Sequence, residues 1–257
     1  MKIFLNEIKT RWFSTFLWLI GLIVFMVIAL IEFEAMKKTG PALQDFMDNI
    51  PTILKSVFGM NEMELSSPSG YMGIIGFYTL ILLAIHGLFL GISVISRESQ
   101  QKTSDFLFTK PVSRKTIFNT KVLGGVAVIL FLNGFLMVFS GFYAASIVGK
   151  QLSMHYIMAY FALNSVMYAY GLFLASFFNK RASQIGLITI LVMYLIPILV
   201  DVSGIHQIFK KLSIISMFDV QTMQTILPLY EVLALLVIAC VFIMLARGGY
   251  KRRDIIS

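Results

Sequence analysis

The sequence predicts an all-α membrane protein with six transmembrane helices. Two observations support this fold class. First, 58% of the 257 residues are hydrophobic and the mean hydropathy is +0.85, which leaves more apolar surface than one soluble core can bury. Second, six apolar runs reach about 18 residues or more, and about 20 helical residues are enough to cross a hydrocarbon core.

The apolar runs divide a single transmembrane domain, residues 1–257, into six predicted spans. The spans are residues 12–31, 72–95, 122–148, 156–178, 183–200 and 229–246. The first run is too long for a signal peptide and no A-x-A-like site follows it, so we interpret it as a retained span. The sixth run is the weakest because Glu231 lies near one of its ends.

The distribution of basic residues predicts the orientation. Of the 21 Lys and Arg residues, 15 lie on the side that holds both termini and the loop of residues 96–121. Short cytoplasmic segments retain basic residues. Both termini and this loop are therefore predicted to be cytoplasmic, and residues 32–71 and 201–228 external. Topology explains the net charge of +8, so no nucleic-acid partner is expected.

The loop of residues 96–121 has the pattern of two short helices joined by a bend. Thr103 or Ser104 can cap the first helix, which must end before Pro111 because proline disfavours helix in the preceding residue. Ser113 can then begin a second helix that continues into the third span.

Three adjacent residues of this loop are apolar where a solvated loop has little use for them. They are Phe106, Leu107 and Phe108. Such residues either pack on the membrane surface or enter the pocket of a partner protein, and composition alone leaves both alternatives open.

The loop resembles a motif of the permeases of type-2 ABC exporters, E-x-x-x-G-T-x-x-x-L-L-x-x-P-x-S-R, followed by a lysine that opens the next span. The matching residues here are Glu98, Thr103, Leu107, Pro111, Ser113, Arg114 and Lys121. Lys102 replaces the usual glycine and Phe108 replaces a common leucine, and neither change alters the two-helix pattern. The first external segment and the tail resemble bacterial members that export peptides such as phenol-soluble modulins.

This resemblance implies an ATP-driven exporter of the bacterial cell membrane. Its loop would hold a coupling helix that docks on a nucleotide-binding subunit. The implied coupling residues are Glu98, Thr103, Asp105, Phe106, Leu107, Pro111 and Arg114. The implied partners are two copies of an ABC ATPase, which bind the ATP and Mg, and a second permease in a homodimer or heterodimer. The expected cargo is amphipathic or hydrophobic. The subgroup favours antimicrobial or cytolytic peptides, and lipids or drugs are the alternative.

The chain itself lacks the signatures of an enzyme. Gly149 and Lys150 are followed by Gln151, so no P-loop is present, and no H-E-x-x-H or G-x-S-x-G motif occurs. We therefore expect no cofactor or metal in this chain. The alternative function is a secondary transporter or channel without an ATPase partner, which usually carries charged residues inside its spans. We find none well inside a predicted span.

Three polar residues inside predicted spans are candidates for the transport path. They are His86, Asn133 and Asn164. Polar groups at this depth are functional candidates by default, although packing partners on neighbouring helices could equally satisfy them.

Amphipathic patterns flank the predicted spans. Ile205 and Phe209 share an apolar stripe in the second external segment, which predicts either an interfacial helix or an external gate. Phe4, Ile8 and Trp12 are spaced by four residues, which predicts an interfacial N-terminal helix along the inner leaflet in contact with membrane lipid. This helix could be a simple anchor or lie near the ATPase subunit.

Overall fold

The computed structural model describes residues 2–39, 49–58, 67–100, 113–142, 145, 149–203, 209, 213–218 and 229–252. The α-helices in these ranges are α1 (Lys2–Thr39), α2 (Thr52–Val57), α3 (Pro68–Gln100), α4 (Arg114–Phe142), α5 (Lys150–Phe178), α6 (Ala182–Ser203) and α7 (Leu229–Arg252). Two short 3₁₀ turns, Asn179–Arg181 and Ile215–Met217, complete the described secondary structure. No strand occurs in these ranges.

Six of the helices, α1 and α3 to α7, are long and apolar enough to cross a membrane. This confirms the predicted fold class, a six-helix membrane bundle. Several helices extend beyond the apolar runs, and α4 begins at Arg114 rather than at residue 122. Hydropathy marks only the lipid-facing length of a helix, whereas the backbone hydrogen bonds continue into the polar flank.

The first helix differs from the predicted arrangement of an interfacial helix followed by a span. α1 is one continuous helix of 38 residues, about 57 Å long at 1.5 Å per residue. No proline or glycine interrupts it before Gly21, so nothing in the local sequence favours a break. The stripe of Phe4, Ile8 and Trp12 belongs to this long helix, and 54% of Trp12 is exposed.

The centre of the bundle is the pair of helices α3 and α5. Within the 18-residue apolar stretch of each helix, 72% of the residues of α3 and 67% of those of α5 are buried. The same fraction is 17% for α6 and 22% for α7. α5 packs against α3, α4, α6 and α7, while α1 packs mainly along α4. The peripheral helices therefore leave broad apolar faces for lipid or for another membrane subunit.

Glycines allow the two central helices to pack backbone against backbone. A Cβ added to Gly87 of α3 would lie 2.5 Å from the carbonyl oxygen of Asn164 on α5. Gly91 and Gly171 face each other one turn further along. Gly87 and Gly91 form a G-x-x-x-G pattern, which is typical of close helix pairs in membranes.

The beginning of α4 agrees with the predicted second helix of the loop. The Ser113 hydroxyl accepts a hydrogen bond from the Thr116 backbone N–H at 3.2 Å, which is the geometry of a helix N-cap. The following helix carries Lys121 into the bundle, as the sequence pattern predicts.

The described parts of the external segments lie against the bundle. Tyr194 of α6 donates a hydrogen bond to the Val57 carbonyl at the end of α2. Ser213 donates to the Met193 carbonyl of α6 at 2.6 Å, and Ile215 is 1% exposed. These contacts join the described parts of both external segments to the middle of α6.

Candidate functional site

Most of the predicted coupling residues lie outside the described residues. These are Thr103, Asp105, Phe106, Leu107 and Pro111. Glu98 lies in the last turn of α3, where only its backbone is described. Arg114 is the first residue of α4, and its guanidinium Nη1 donates to the Lys251 carbonyl of α7 at 3.3 Å. The helical last part of the loop is thus hydrogen-bonded to α7.

A buried cluster of charged side chains lies where α1, α3 and α4 meet. Lys121 Nζ donates to the Val94 carbonyl oxygen of α3 at 2.9 Å and lies 3.6 Å from Glu7 Oε1 of α1. The other carboxylate oxygen of Glu7 pairs with Arg11, one turn along α1. Lys121 is 0% exposed, Arg11 5% and Glu7 7%.

This cluster contains two cations and one carboxylate, so its formal charge is positive. Arg11 Nε and Nη2 have no hydrogen-bond partner within the described residues. Burial of charge is unfavourable unless pairing and hydrogen bonds offset the lost hydration, and such pairs contribute little net stability. Their geometric effect is stronger, because each charge holds its partner on a neighbouring turn or helix in a fixed position.

The same turns of α4 also contact α5 and α7. Tyr168 of α5 donates its hydroxyl hydrogen to the Val122 carbonyl oxygen at 2.9 Å. The rings of Phe118 and Tyr250 of α7 pack with centroids 5.4 Å apart. The first turns of α4, which form the end of the predicted loop of residues 96–121, therefore touch α1, α3, α5 and α7.

The charged cluster was not predicted from the sequence. The motif places Lys121 at the opening of the third span, among the cytoplasmic basic residues, and it does not predict that the side chain is buried. Glu7 and Arg11 are spaced by four residues, which is the ion-pair spacing of a helix, and this signal was available in the sequence. It did not reveal that α4 would cover the pair.

The structure brings two of the three predicted transport-path residues together. Asn164 Nδ2 lies 3.3 Å from His86 Nδ1, and both residues are buried. One of the two side chains donates a hydrogen bond to the other, in the direction that the tautomer of the imidazole sets. Asn164 Oδ1 has no hydrogen-bond partner within the described residues.

The third predicted residue, Asn133, has a different role in the structure. Its amide Nδ2 donates to the Ile129 carbonyl oxygen at 2.9 Å, one turn earlier in α4. This bond lies within a single helix, so it does not join α4 to a neighbour.

An open apolar groove of about 480 Å³ runs between α1 and α3. Ser14, Trp18 and Phe25 line it on α1, and Leu82 lines it on α3. The ring of Trp18 also packs against His86, with centroids 5.4 Å apart and an interplanar angle of 72°. Trp18 therefore contacts both the groove and the buried polar pair.

The predicted external gate residues are described only in part. Ile205 lies outside the described residues, and Phe209 is 46% exposed. The apolar residues that enter the bundle from this segment are Ile215 and Phe218, which are 1% and 5% exposed. Neither residue is among the predicted gate residues.

The described residues contain no group of three or more His, Cys, Asp or Glu side chains that could hold a metal ion. Cys240, the one cysteine of the chain, is free and exposed on α7.

Comparison with known proteins identifies the family. Residues 1–255 match the family described as ABC-2 family transporter protein. Neither the curated proteins nor the solved structures gave a match. A match over nearly the whole chain, together with six apolar helices and a helical bundle without strands in its described residues, places the protein in a membrane as a multi-pass transporter subunit. The chain belongs to the ABC-2 family and is the permease part of an ABC exporter.

Proposed function

We propose that this chain forms the membrane path of an exporter whose ATP is bound and hydrolysed, with Mg, by two separate ABC ATPase subunits. Family membership is the observation that carries this proposal, because an ABC-2 permease works with an ABC ATPase. The sequence supports it, since no G-x-x-x-x-G-K-[ST] motif is present to bind ATP in this chain. Family membership also favours this function over an ion-driven secondary transporter.

The loop between α3 and α4 is the proposed docking element for the ATPase. The contacts of Arg114 with α7 and of Lys121 with α1 support this position. Through these contacts the helical last part of the loop, from Arg114 to Lys121, lies beside α1 and α7. Basic residues are concentrated at this end of the bundle. Phe106 and Leu107 would form the apolar knob that enters a groove of the ATPase, with nearby carboxylates setting its register.

Substitution of the knob tests the docking proposal. Leu107→Asp places a charge in an apolar groove, and we expect co-purification of the ATPase with the permease to fall by tenfold or more, the range for a buried hot spot. Leu54→Asp is the matched control, because Leu54 is 46% exposed on α2, in the first predicted external segment. Normal membrane insertion and ATPase binding by the Leu107→Asp variant would contradict the proposal.

We propose that the working transporter contains two permeases, identical or related. The broad apolar faces of α6 and α7, with only 17% and 22% of the residues in their apolar stretches buried, leave room for a second copy. Native mass spectrometry of the assembled complex should give two permeases and two ATPases. A stable complex with one permease would contradict this assembly.

We propose that the cargo is amphipathic or hydrophobic, such as an antimicrobial or cytolytic peptide leaving a bacterial cell. The groove lined by Trp18 and Phe25 supports this class, because it offers an apolar surface beside the His86–Asn164 pair. Large aromatic side chains provide much contact area with little ordering entropy.

Peptide uptake into inverted vesicles tests this cargo. Vesicles that contain the permease and its ATPase are given ATP and a fluorescent amphipathic helical peptide. We expect Trp18→Leu to lower uptake severalfold, while Trp12→Leu leaves it unchanged, since Trp12 packs on Phe131 and does not line the groove. Equal uptake by both variants would exclude the groove as the peptide path.

A further inference from the structure

The first two turns of α4 connect the proposed docking loop to the rest of the bundle. They form the end of the predicted loop of residues 96–121, and together with Val122 they contact α1, α3, α5 and α7. A displacement of the loop therefore reaches the spans through this segment and through the end of α3. The contacts made by Lys121 join these two routes to α1.

Lys121 is suited to fix a relative position more than to add stability. Its side chain is fully buried, and its ammonium group touches the Val94 carbonyl oxygen at 2.9 Å and lies 3.6 Å from Glu7 Oε1. A buried ammonium favours this arrangement, because a shift of α1 or α3 away from α4 takes one of these two partners away from it. An apolar residue in its place would tolerate such a shift.

Gly124 also brings α4 close to α1, because it has no side chain. It lies one turn after Lys121 on α4, and a Cβ at this position would be 2.9 Å from the Glu7 Cβ. The missing side chain is what allows α1 to approach α4 at Glu7. Glu7 of α1 is therefore held in two ways, by the ion pair with Lys121 and by close packing against Gly124.

We infer that Lys121, Glu7 and Gly124 form a clasp that makes the ends of α1, α3 and α4 next to the docking loop move as one unit. The inference rests on the proposed docking of the ATPase to the loop, and it assigns α1 a driven role in transport. Lys121 is a positioning residue, since it passes movement from the loop to α1 through Glu7.

Two variants disrupt the clasp by unrelated routes. Lys121→Met removes the ammonium but keeps a side chain of similar length, and it leaves Glu7 paired with Arg11. Gly124→Ala adds one methyl group against Glu7 and changes no charge. Gly134→Ala is the matched control. Gly134 lies on the same helix, and an added Cβ there meets nothing within 4 Å.

The test uses the permease co-assembled with its ATPase in nanodiscs, with spin labels at the exposed positions Lys9 and Asn119 on either side of the clasp. In the unmodified clasp and in Gly134→Ala, we expect the label distance to be the same with and without ATP. In Lys121→Met and Gly124→Ala, it should become ATP-dependent. Stimulation of ATP hydrolysis by the permease should fall between about twofold and thirtyfold, while the ATPase still co-purifies.

The possible failures are distinguishable. If either clasp variant keeps an ATP-independent distance and full stimulation, the clasp is overturned while the docking proposal stands. If either loses the ATPase altogether, the clasp shapes the docking loop and transmits nothing, which also overturns the inference. If the unmodified permease binds no ATPase, the proposed function fails and the clasp with it.

Discussion

At the scale of single residues, the polar groups inside the spans must find partners in the protein, because the hydrocarbon core offers no water. His86 and Asn164 meet this need across the interface of α3 and α5, with 3.3 Å between their nitrogens. The amide nitrogen of Asn133 meets it within α4, and the Asn133 Oδ1 has no hydrogen-bond partner among the described residues. The three residues look alike in sequence, yet only the first two join helices.

Asn164→Ala should therefore destabilise the protein more than Asn133→Ala. The first variant removes the hydrogen bond to His86 and leaves the imidazole without this partner, at an expected loss of about 1 kcal/mol. The second removes a bond inside one helix, and we expect a loss below about 0.5 kcal/mol. Free energies of unfolding in mixed detergent micelles measure both. Equal losses would show that the His86–Asn164 bond does not hold the two helices together.

At the scale of helices, the central pair α3 and α5 depends on glycine. The carbonyl oxygen of Asn164 lies 2.5 Å from where a Gly87 Cβ would be, so any side chain forces the two backbones apart. Loss of close packing is serious here, since lipid is as apolar as the helices and packing is a main driving force for their association.

Gly87→Ala is expected to destabilise the bundle by about 1 to 3 kcal/mol, the usual range for overpacking. Gly134→Ala serves as its control, because an added Cβ there meets nothing within 4 Å and alanine is the better helix former. Thermal unfolding of the two purified variants gives the comparison. A Gly87→Ala protein as stable as the control would mean that α3 and α5 do not pack this closely.

The helices were predictable from sequence, whereas their partners were not. Apolar length alone identified six spans, because a hydrocarbon core requires it. The G-x-x-x-G pattern of Gly87 and Gly91 was present but does not state which helix it faces. The sequence predicts that Lys121 opens the third span, and only the fold brings Glu7 and the Val94 carbonyl to it. Pairing between distant segments is a property of the packed bundle.

At the scale of the whole molecule, one end of the bundle gathers the start of α1, the ends of α3 and α7 and the start of α4. Fifteen of the 21 Lys and Arg residues lie in these segments, in the loop between α3 and α4, in the α5–α6 connection or just after α7. By the positive-inside rule we expect this end to face the cytosol, where an ATPase subunit can reach it.

Cysteine labelling tests this orientation. In a background with Cys240 replaced by Ser, a cysteine at Lys115 should react with a membrane-impermeant maleimide only after the cells are opened. A cysteine at Lys150 should react in intact cells. Both positions are exposed in the structure. Labelling of position 115 in intact cells would reverse the topology and remove the docking loop from the cytosol.

The most direct test of the central claim, that this chain uses ATP hydrolysed elsewhere, is the ATP turnover of the purified permease with and without its ATPase subunit in nanodiscs. The permease alone should show only background hydrolysis, because its sequence has no P-loop. Addition of the ATPase should give a complex whose turnover depends on an intact loop and falls to that of the free ATPase in the Leu107→Asp variant. Turnover by the permease alone after contaminating ATPases are excluded, or turnover of the ATPase that the permease leaves unchanged, would contradict the account.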